Sequence, residues 1–528
     1  MKRLLSLLLS LVMVLLCSCS QGGADDSESA DSQTENSQEQ GDAASDATDI
    51  SGYPWSLSEN AQYIDGELKL SPSATASCYD SISNTYILEC DITASSDNTS
   101  GIMINRPDKY ISYLLSINGK NDKICFYEKS VSGASETIFS QKTDIEEGAY
   151  YHVKLVSFNA SVRIYINKQG ETPSEYPLID LPINKLRSKA LSFVSGKGNM
   201  TVKNISISKN DIVLAGTTYI NPIASGADPY ILQYEGKYYL YSTNAVNEGY
   251  KVSVSTDLGT WTDMGLALKN ADVYGNPTSS AGFWAPEVYY YNGLFYMIYT
   301  VGEHLGIATS ESPLGPFKSP KQSYINNDKR EIDGHLFFDD DGKVYIYFVR
   351  CASSVGEGTG NEIYGAEFDM ETFTYKNERC LVYPEKNTWE WIGTHGYVAE
   401  GPAVLKHEGR YYMTYSANGY TCQNYAIGLA ISDSPLGNYA KYDGNPILEK
   451  DSYLNVYGPG HHSFVYSPDG TELFMVYHKH QSSTTVSPRV VCIDRCYYEY
   501  DEKLGYDVLL VHGPTSTNQP LPSGSTAQ

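Results

Sequence analysis

The sequence predicts an all-β protein, with a five-bladed β-propeller over residues 215–528 preceded by a β-sandwich over residues 53–210. Three observations carry that prediction. One hairpin pattern recurs five times: ADPYILQYEGKYYLYS from Ala227, PEVYYYNGLFYMIYT from Pro286, IDGHLFFDDDGKVYIYF from Ile332, AEGPAVLKHEGRYYMTYS from Ala399 and GHHSFVYSPDGTELFMVYH from Gly460. In each copy two β-prone runs flank a Gly-containing turn, and copies starting roughly 45 to 70 residues apart exceed a solenoid repeat but suit four-stranded blades. Before the propeller, strand-like runs parted by Asn, Gly and Ser turns show no helical periodicity of useful length.

In chain order, Lys2 and Arg3 lead an apolar run from Leu4 to Leu16 that ends in Cys17-Ser18-Cys19. This reads as a secretory signal, too short and too early for a structural membrane helix. Its ending resembles the bacterial lipobox, in which Cys19, preceded by the small Ser18, is the residue to be lipidated. Residues 20–52 are mostly Ser, Gln, Asp, Glu, Ala and Gly with no Lys or Arg; they are expected to form an acidic, disordered tether. Membrane contact is thus expected through the lipid alone, on an extracellular, cell-surface lipoprotein of a bacterial membrane. The net charge of −25 with no basic cluster argues against a nucleic-acid partner, while neutral polysaccharide stays compatible.

From 53 to 210, runs such as TYILECDITA, YISYLLSING and MTVKNISIS predict two packed antiparallel sheets. The stretch GAYYHVKLVSFNASVRIYINKQG resembles the jelly rolls of concanavalin and laminin-G type lectins, which implies a carbohydrate-binding module; a structural spacer is the alternative. The cysteines at 78, 90, 125, 351, 380, 422, 492 and 496 show no metal-binding spacing, and none is assigned to a disulfide.

Each propeller hairpin opens near a polar residue: Asp228, Glu287, Asp333, Glu400 and His461. Inner strands ring the axis, so groups at equivalent register are expected to meet at one end of a narrow channel. Four carboxylates and one imidazole suit glycosidic bond cleavage, which needs one carboxylic acid to protonate the leaving oxygen and one carboxylate on the opposite face of the sugar. The residues alone do not say which carboxylate is which.

At SGADPYI, WAPEV, EIDGHLFFDDDGK, AEGPAVLKHEGRYYMTYS and GPGHHSF the chain resembles glycoside hydrolase family 43, from about Asn221 to Gly524. The resemblance implies an inverting hydrolase of plant cell-wall glycans, acting on arabinose- or xylose-containing polysaccharide or oligosaccharide to release α-L-arabinofuranosyl or β-D-xylosyl units. It maps the general base onto Asp228, the general acid onto Glu400, and the residue that tunes and orients the acid onto Asp333. It also implies Arg489 as a substrate contact, and His461 as a ligand, mostly through water, of a calcium or sodium ion at the axis. Trp284 of FWAPEV, at the mouth, is expected to stack on the sugar. No organic cofactor is implied. His335 shares a face with Asp333 by the two-residue strand period and is expected to point toward substrate. Two alternatives are a retaining fructan-type hydrolase on the same propeller and a non-catalytic glycan-binding lipoprotein. The first expects an Arg before the middle Asp, where this chain has Ile332; the second expects loss of an acidic position, and all three are present.

The anchor is checked by mass spectrometry of the mature amino terminus. Lipid mass on Cys19 is expected in the natural chain, and Cys19→Ala is expected to abolish it and to release the protein from membranes.

Overall fold

The computed structural model describes residues 47–525, apart from 80–81, 83–84, 106–110, 159–160, 184–189, 211–216, 275–276, 278–281, 321–322, 353–359 and 393–396. The signal at 1–19 and most of the segment assigned to a tether lie outside the described residues. The end of that segment does not behave as a tether. Thr48–Ile50 is a strand paired antiparallel with Tyr53–Leu57, and Ile50 is buried among Trp55 and the sandwich core. A single apolar side chain at the end of a polar run was enough to start the sheet five residues early.

The sandwich has one sheet of eight strands and one of seven. In Tyr150–Phe158 the first residues alternate between half-buried and buried, as expected when one sheet face meets the core. Between the sheets lie Trp55, Leu88, Phe126, Leu155 and Phe193, with Trp55 stacked on Phe193 at 5.4 Å.

Five further sheets make the propeller. Their inner strands are Ala227–Tyr234, Phe283–Tyr291, Glu331–Phe338, Ala399–His407 and Gly460–Tyr466. Five apolar clusters each join one blade to the next, closing with the cluster that packs Val465, Phe474 and Val476 of blade 5 on Ile231 and Leu240 of blade 1. The abundance of tyrosine follows from this packing. Tyr347, Tyr415 and Tyr477 are fully buried between blades, yet their hydroxyls reach Pro435 C=O at 2.8 Å, Glu390 at 2.5 Å and Asp494 at 2.7 Å. A phenylalanine would fill the space but forfeit those buried hydrogen bonds.

The ring is closed by chain from both ends. Ala224–Ser225, just before blade 1, pairs with Val490–Asp501 of blade 5, and Thr218–Tyr219 pairs with Gln519–Pro520. Buried Asp494 holds the seam, accepting from Thr515 and Asn221 as well as Tyr477.

Sandwich and propeller are more intimately joined than two domains on a linker. Leu454 and Val456, on the connection between blades 4 and 5, are buried in the sandwich core cluster. Beside them Tyr453 donates to Pro182 C=O at 2.9 Å. Asp180 of the sandwich accepts from Thr517 and Gln519 of the closing segment, each at 2.7 Å, and is paired with Arg163 at 3.1 Å.

Truncating Leu454 removes a side chain that completes the sandwich core, so Leu454→Ala is expected to destabilise the sandwich by about 2 kcal/mol or more. Calorimetry should show the loss although the substitution lies in the propeller sequence; an unchanged melting profile would mean that the connection does not complete that core.

Candidate active site

Each inner strand carries a β-bulge at the same height. The pairing registers break between Ala227 and Tyr230, Trp284 and Glu287, Ile332 and His335, Glu400 and Ala403, and Gly460 and His462. One residue in each bulge has positive φ: Asp228 (50°), Ala285 (44°), Asp333 (56°), Gly401 (54°) and His461 (40°). These five residues, and not the five polar residues singled out in the sequence, are the equivalent positions. Glu400 precedes its bulge residue by one and Glu287 follows its own by two. Counting by twos along a strand fails wherever an extra residue is inserted.

The bulges are latched to one another around the ring. The backbone N–H of Ala285 donates to Thr243 Oγ1 at 2.9 Å, that of Asp333 to Thr300 Oγ1 at 3.1 Å, that of His461 to Ser416 Oγ at 2.8 Å, and that of Asp228 to His478 Nδ1 at 3.2 Å. Each acceptor lies at the same place on the second strand of the preceding blade, opposite the residue before the bulge. In blade 3 that place is Val349, which accepts nothing. There the carboxylate of Asp333 substitutes, accepting from Gly401 N–H at 3.2 Å. Asp333 is thereby turned toward the strand that carries Glu400.

Asp228, Asp333, Glu400 and His461 come together in the floor of a cleft of about 640 Å³, with Trp284 and Arg489 in its wall. Burial alone would raise the pKa of Asp228. Arg489, 2.8 Å from Oδ1, outweighs burial together with His461, His478 and the Thr243 hydroxyl, and holds the carboxyl well below its usual range. Thr243 donates to Asp228 Oδ2 at 2.6 Å. Glu400 has the opposite fate: burial, with the charge of Asp228, lifts it to about 7 against the pull of Tyr425 and Arg489. Asp333 is likewise raised well above its usual value, by burial and then by the Glu400 and Asp228 carboxylates. Asp333 and Glu400 therefore lose their protons as an interacting pair.

Trp284 lines the cleft, whereas the neighbouring Phe283 is fully buried and meets Tyr250 edge-on in the core at 5.5 Å. Arg489 also lines the cleft, with its guanidinium on Asp228 and over the ring of Tyr420 at 4.7 Å. His335 does not face the cleft. One ring nitrogen lies 2.9 Å from Glu287 and the other accepts from Val404 N–H at 3.1 Å, so the ring is a cross-brace in the layer below. The bulge after Asp333 is the reason: it turns the next strand residues out of the phase that the two-residue period gives. Glu287 is tied down in that layer by His335 and Tyr289. Trp389 and Trp391 pack on Tyr415 and Tyr397 and are not among the cleft residues.

His461 Nδ1 lies 3.4 Å from Asp228 and 3.8 Å from Asp333; burial lowers its pKa despite the pull of Asp228. Calcium takes six to eight oxygen ligands. Among the described residues the nearby carboxylates are engaged, Asp228 by Arg489 and Thr243, Asp333 by Gly401, Glu287 by His335. One imidazole does not fit a directly ligated calcium or sodium ion. An ion on the axis would be held through water, and no chemical step is assigned to it.

Three supporting residues went unread in the sequence: Thr243, His478 and Tyr425. A signal existed for the first two. The second strands end YYLYST, FYMIYT, YYMTYS and LFMVYH, placing a hydroxyl or imidazole at one recurring position. Tyr425, which donates to Glu400 Oε1 at 2.8 Å, lies in a connection with no repeat to mark it.

The sequence profile of the glycosyl hydrolases family 43 matches residues 219–504. The chain is similar to a β-D-galactofuranosidase of Aspergillus niger, 26% identical over 306 residues, which are 53% of this chain and 82% of that protein. It is also similar to a xylosidase/arabinosidase of Butyrivibrio fibrisolvens, 31% identical over 236 residues; the match covers 43% of this chain but only 44% of that protein. Among solved structures, a thermostable family-43 glycoside hydrolase is 41% identical with a TM-score of 0.52, matching 58% of this chain and 100% of that one. With the profile spanning more than half of the sequence and all five blades, the chain belongs to the glycosyl hydrolases of family 43.

Proposed function

We propose that the chain is an inverting O-glycoside hydrolase that releases α-L-arabinofuranosyl or β-D-xylosyl units from plant cell-wall glycans, with Asp228 as general base and Glu400 as general acid. The observation that carries this reading is the division of labour in one cleft. Two carboxyl groups whose surroundings push their pKa values apart are the signature of an acid and base pair, and here Asp228 is held ionised while Glu400 is raised to about 7.

In the proposed reaction a water on the Asp228 side attacks the anomeric carbon as Asp228 takes its proton. The bond to the leaving oxygen breaks, and the proton of Glu400 goes to that oxygen. Asp228 ends protonated and Glu400 ionised, and solvent exchange restores both. Arg489 keeps Asp228 anionic in the resting enzyme and Thr243 fixes Oδ2, so the lone pair that receives the proton has a set direction. Asp333 and Glu400 form an interacting pair, so ionisation of either carboxyl makes the other harder to ionise. Trp284 offers an aromatic face to the sugar ring. The propeller would work at the cell surface, held by lipid at Cys19, with the sandwich as a glycan-binding module.

Asp228→Asn is expected to abolish turnover of all substrates. Glu400→Gln should cost on the order of 10² to 10⁴ on natural glycosides and far less on aryl glycosides whose leaving group needs no proton. The kcat/KM profile should fall as pH rises through about 7, because the acid is lost there. It should show no ascending limb above about pH 4, the ordinary aspartate value, because Asp228 is already ionised. Asp333→Asn should move the descending limb to lower pH. NMR of the first-formed sugar should show the anomer opposite to the substrate's, and retention would overturn the inverting assignment. A side-by-side assay of aryl α-L-arabinofuranoside, β-D-xyloside and β-D-galactoside tests the sugar preference; equal rates on all three would sink it.

A further inference from the structure

Beneath the cleft a chain of contacts runs from the base to the acid without passing through substrate. Asp228 N–H donates to His478 Nδ1. The His478 ring is stacked on Tyr425 at 5.8 Å and 16°. Tyr425 OH donates to Glu400 Oε1 at 2.8 Å. Both rings are fully buried. A Cβ on Gly460 would lie 2.1 Å from the Tyr425 ring, so the glycine lets the ring slide under the floor. A phenol buried this deeply, with burial and the Glu400 charge raising its pKa far above the ordinary tyrosine value, keeps its proton and has it to donate to Glu400.

We propose that Tyr425 is a positioning residue for the acid: it fixes Oε1 of Glu400 as the accepting oxygen, so that the transferable proton rides on Oε2, and through His478 it sets the acid at a fixed distance from Asp228. The proposal rests on Glu400 being the acid. Its chemistry follows from the direction of one hydrogen bond. When Glu400 gives up its proton, the bond from Tyr425 becomes charge-assisted and strengthens. Tyr425 thus helps the proton leave, and in the resting enzyme it opposes burial and Asp228, which hold the proton on. The other groups facing Glu400 are Asp333 from blade 3, Arg489 and His461 from blade 5, and Cys351. None of them is altered by removing the phenol oxygen.

Tyr425→Phe keeps the ring and the stack on His478 and removes the donor. The descending limb of the pH profile is expected to move up by about one unit, since Glu400 becomes the weaker acid. Turnover of natural glycosides should fall roughly tenfold, while aryl glycosides with good leaving groups should be spared. In a Glu400→Gln background the same substitution should add no further change in pH dependence. A residue that merely fills space would leave the limb in place, and an unmoved limb in a variant that melts like the natural protein overturns the proposal. Failure of the underlying reading looks different: Glu400→Gln alone would then slow natural and activated substrates equally. As a second handle, Gly460→Ala should displace the ring from its place against Glu400 and lower activity at all pH values; full activity in that variant would also count against the proposal.

Discussion

The cleft depends on a ring of five backbone hydrogen bonds. Each inner strand must place one residue at positive φ, which for the four that are not glycine costs about 1 kcal/mol or more apiece. A bulge also leaves a backbone N–H out of the sheet ladder. The latch from the preceding blade satisfies that N–H and holds the strained residue in place. The strain and its remedy therefore lie in different blades, so no blade is complete alone. The side chains aimed into the cleft are aimed by their neighbours.

The electrostatics follow from the same geometry. Three carboxyl groups in one buried site cannot all be ionised. Arg489 decides which one is, by sitting on Asp228, and the remaining two are left to hold protons. Blade 3 makes this arrangement asymmetric. With Val349 where the other blades put Thr, Ser or His, the Asp333 carboxylate takes the latch position itself.

Much of this was legible in the sequence. Five hairpins with Gly turns fixed the blade count, and Asp228, Asp333 and Glu400 could be placed at strand starts because the turns that precede the second strands are unmistakable. The phase of the bulges was not legible, because an inserted residue leaves no compositional mark unless it is glycine, and only blade 4 uses one. Hence Glu287 looked like an equal of Glu400, and His335 looked like a substrate contact. The boundary at Thr48–Ile50 was missed for a different reason: the burial of Ile50 comes from tertiary packing on Trp55, which no local pattern reveals. The pairing of Tyr425 with Glu400 belongs to the same class, joining residues two strands apart at one end of blade 4.

The insertion of Leu454 and Val456 into the sandwich has a consequence for assembly. A chain made from its amino terminus would present both sandwich sheets long before residue 454 emerges, with a gap in the core where these two side chains belong. Domains of a growing chain usually fold in order of synthesis. Here the first can reach a nearly finished state and then must wait for a segment more than two hundred residues later, past four of the five blades. Until then the core lacks two of its buried side chains, so the finished sandwich and the closed circle of blades depend on the same connection.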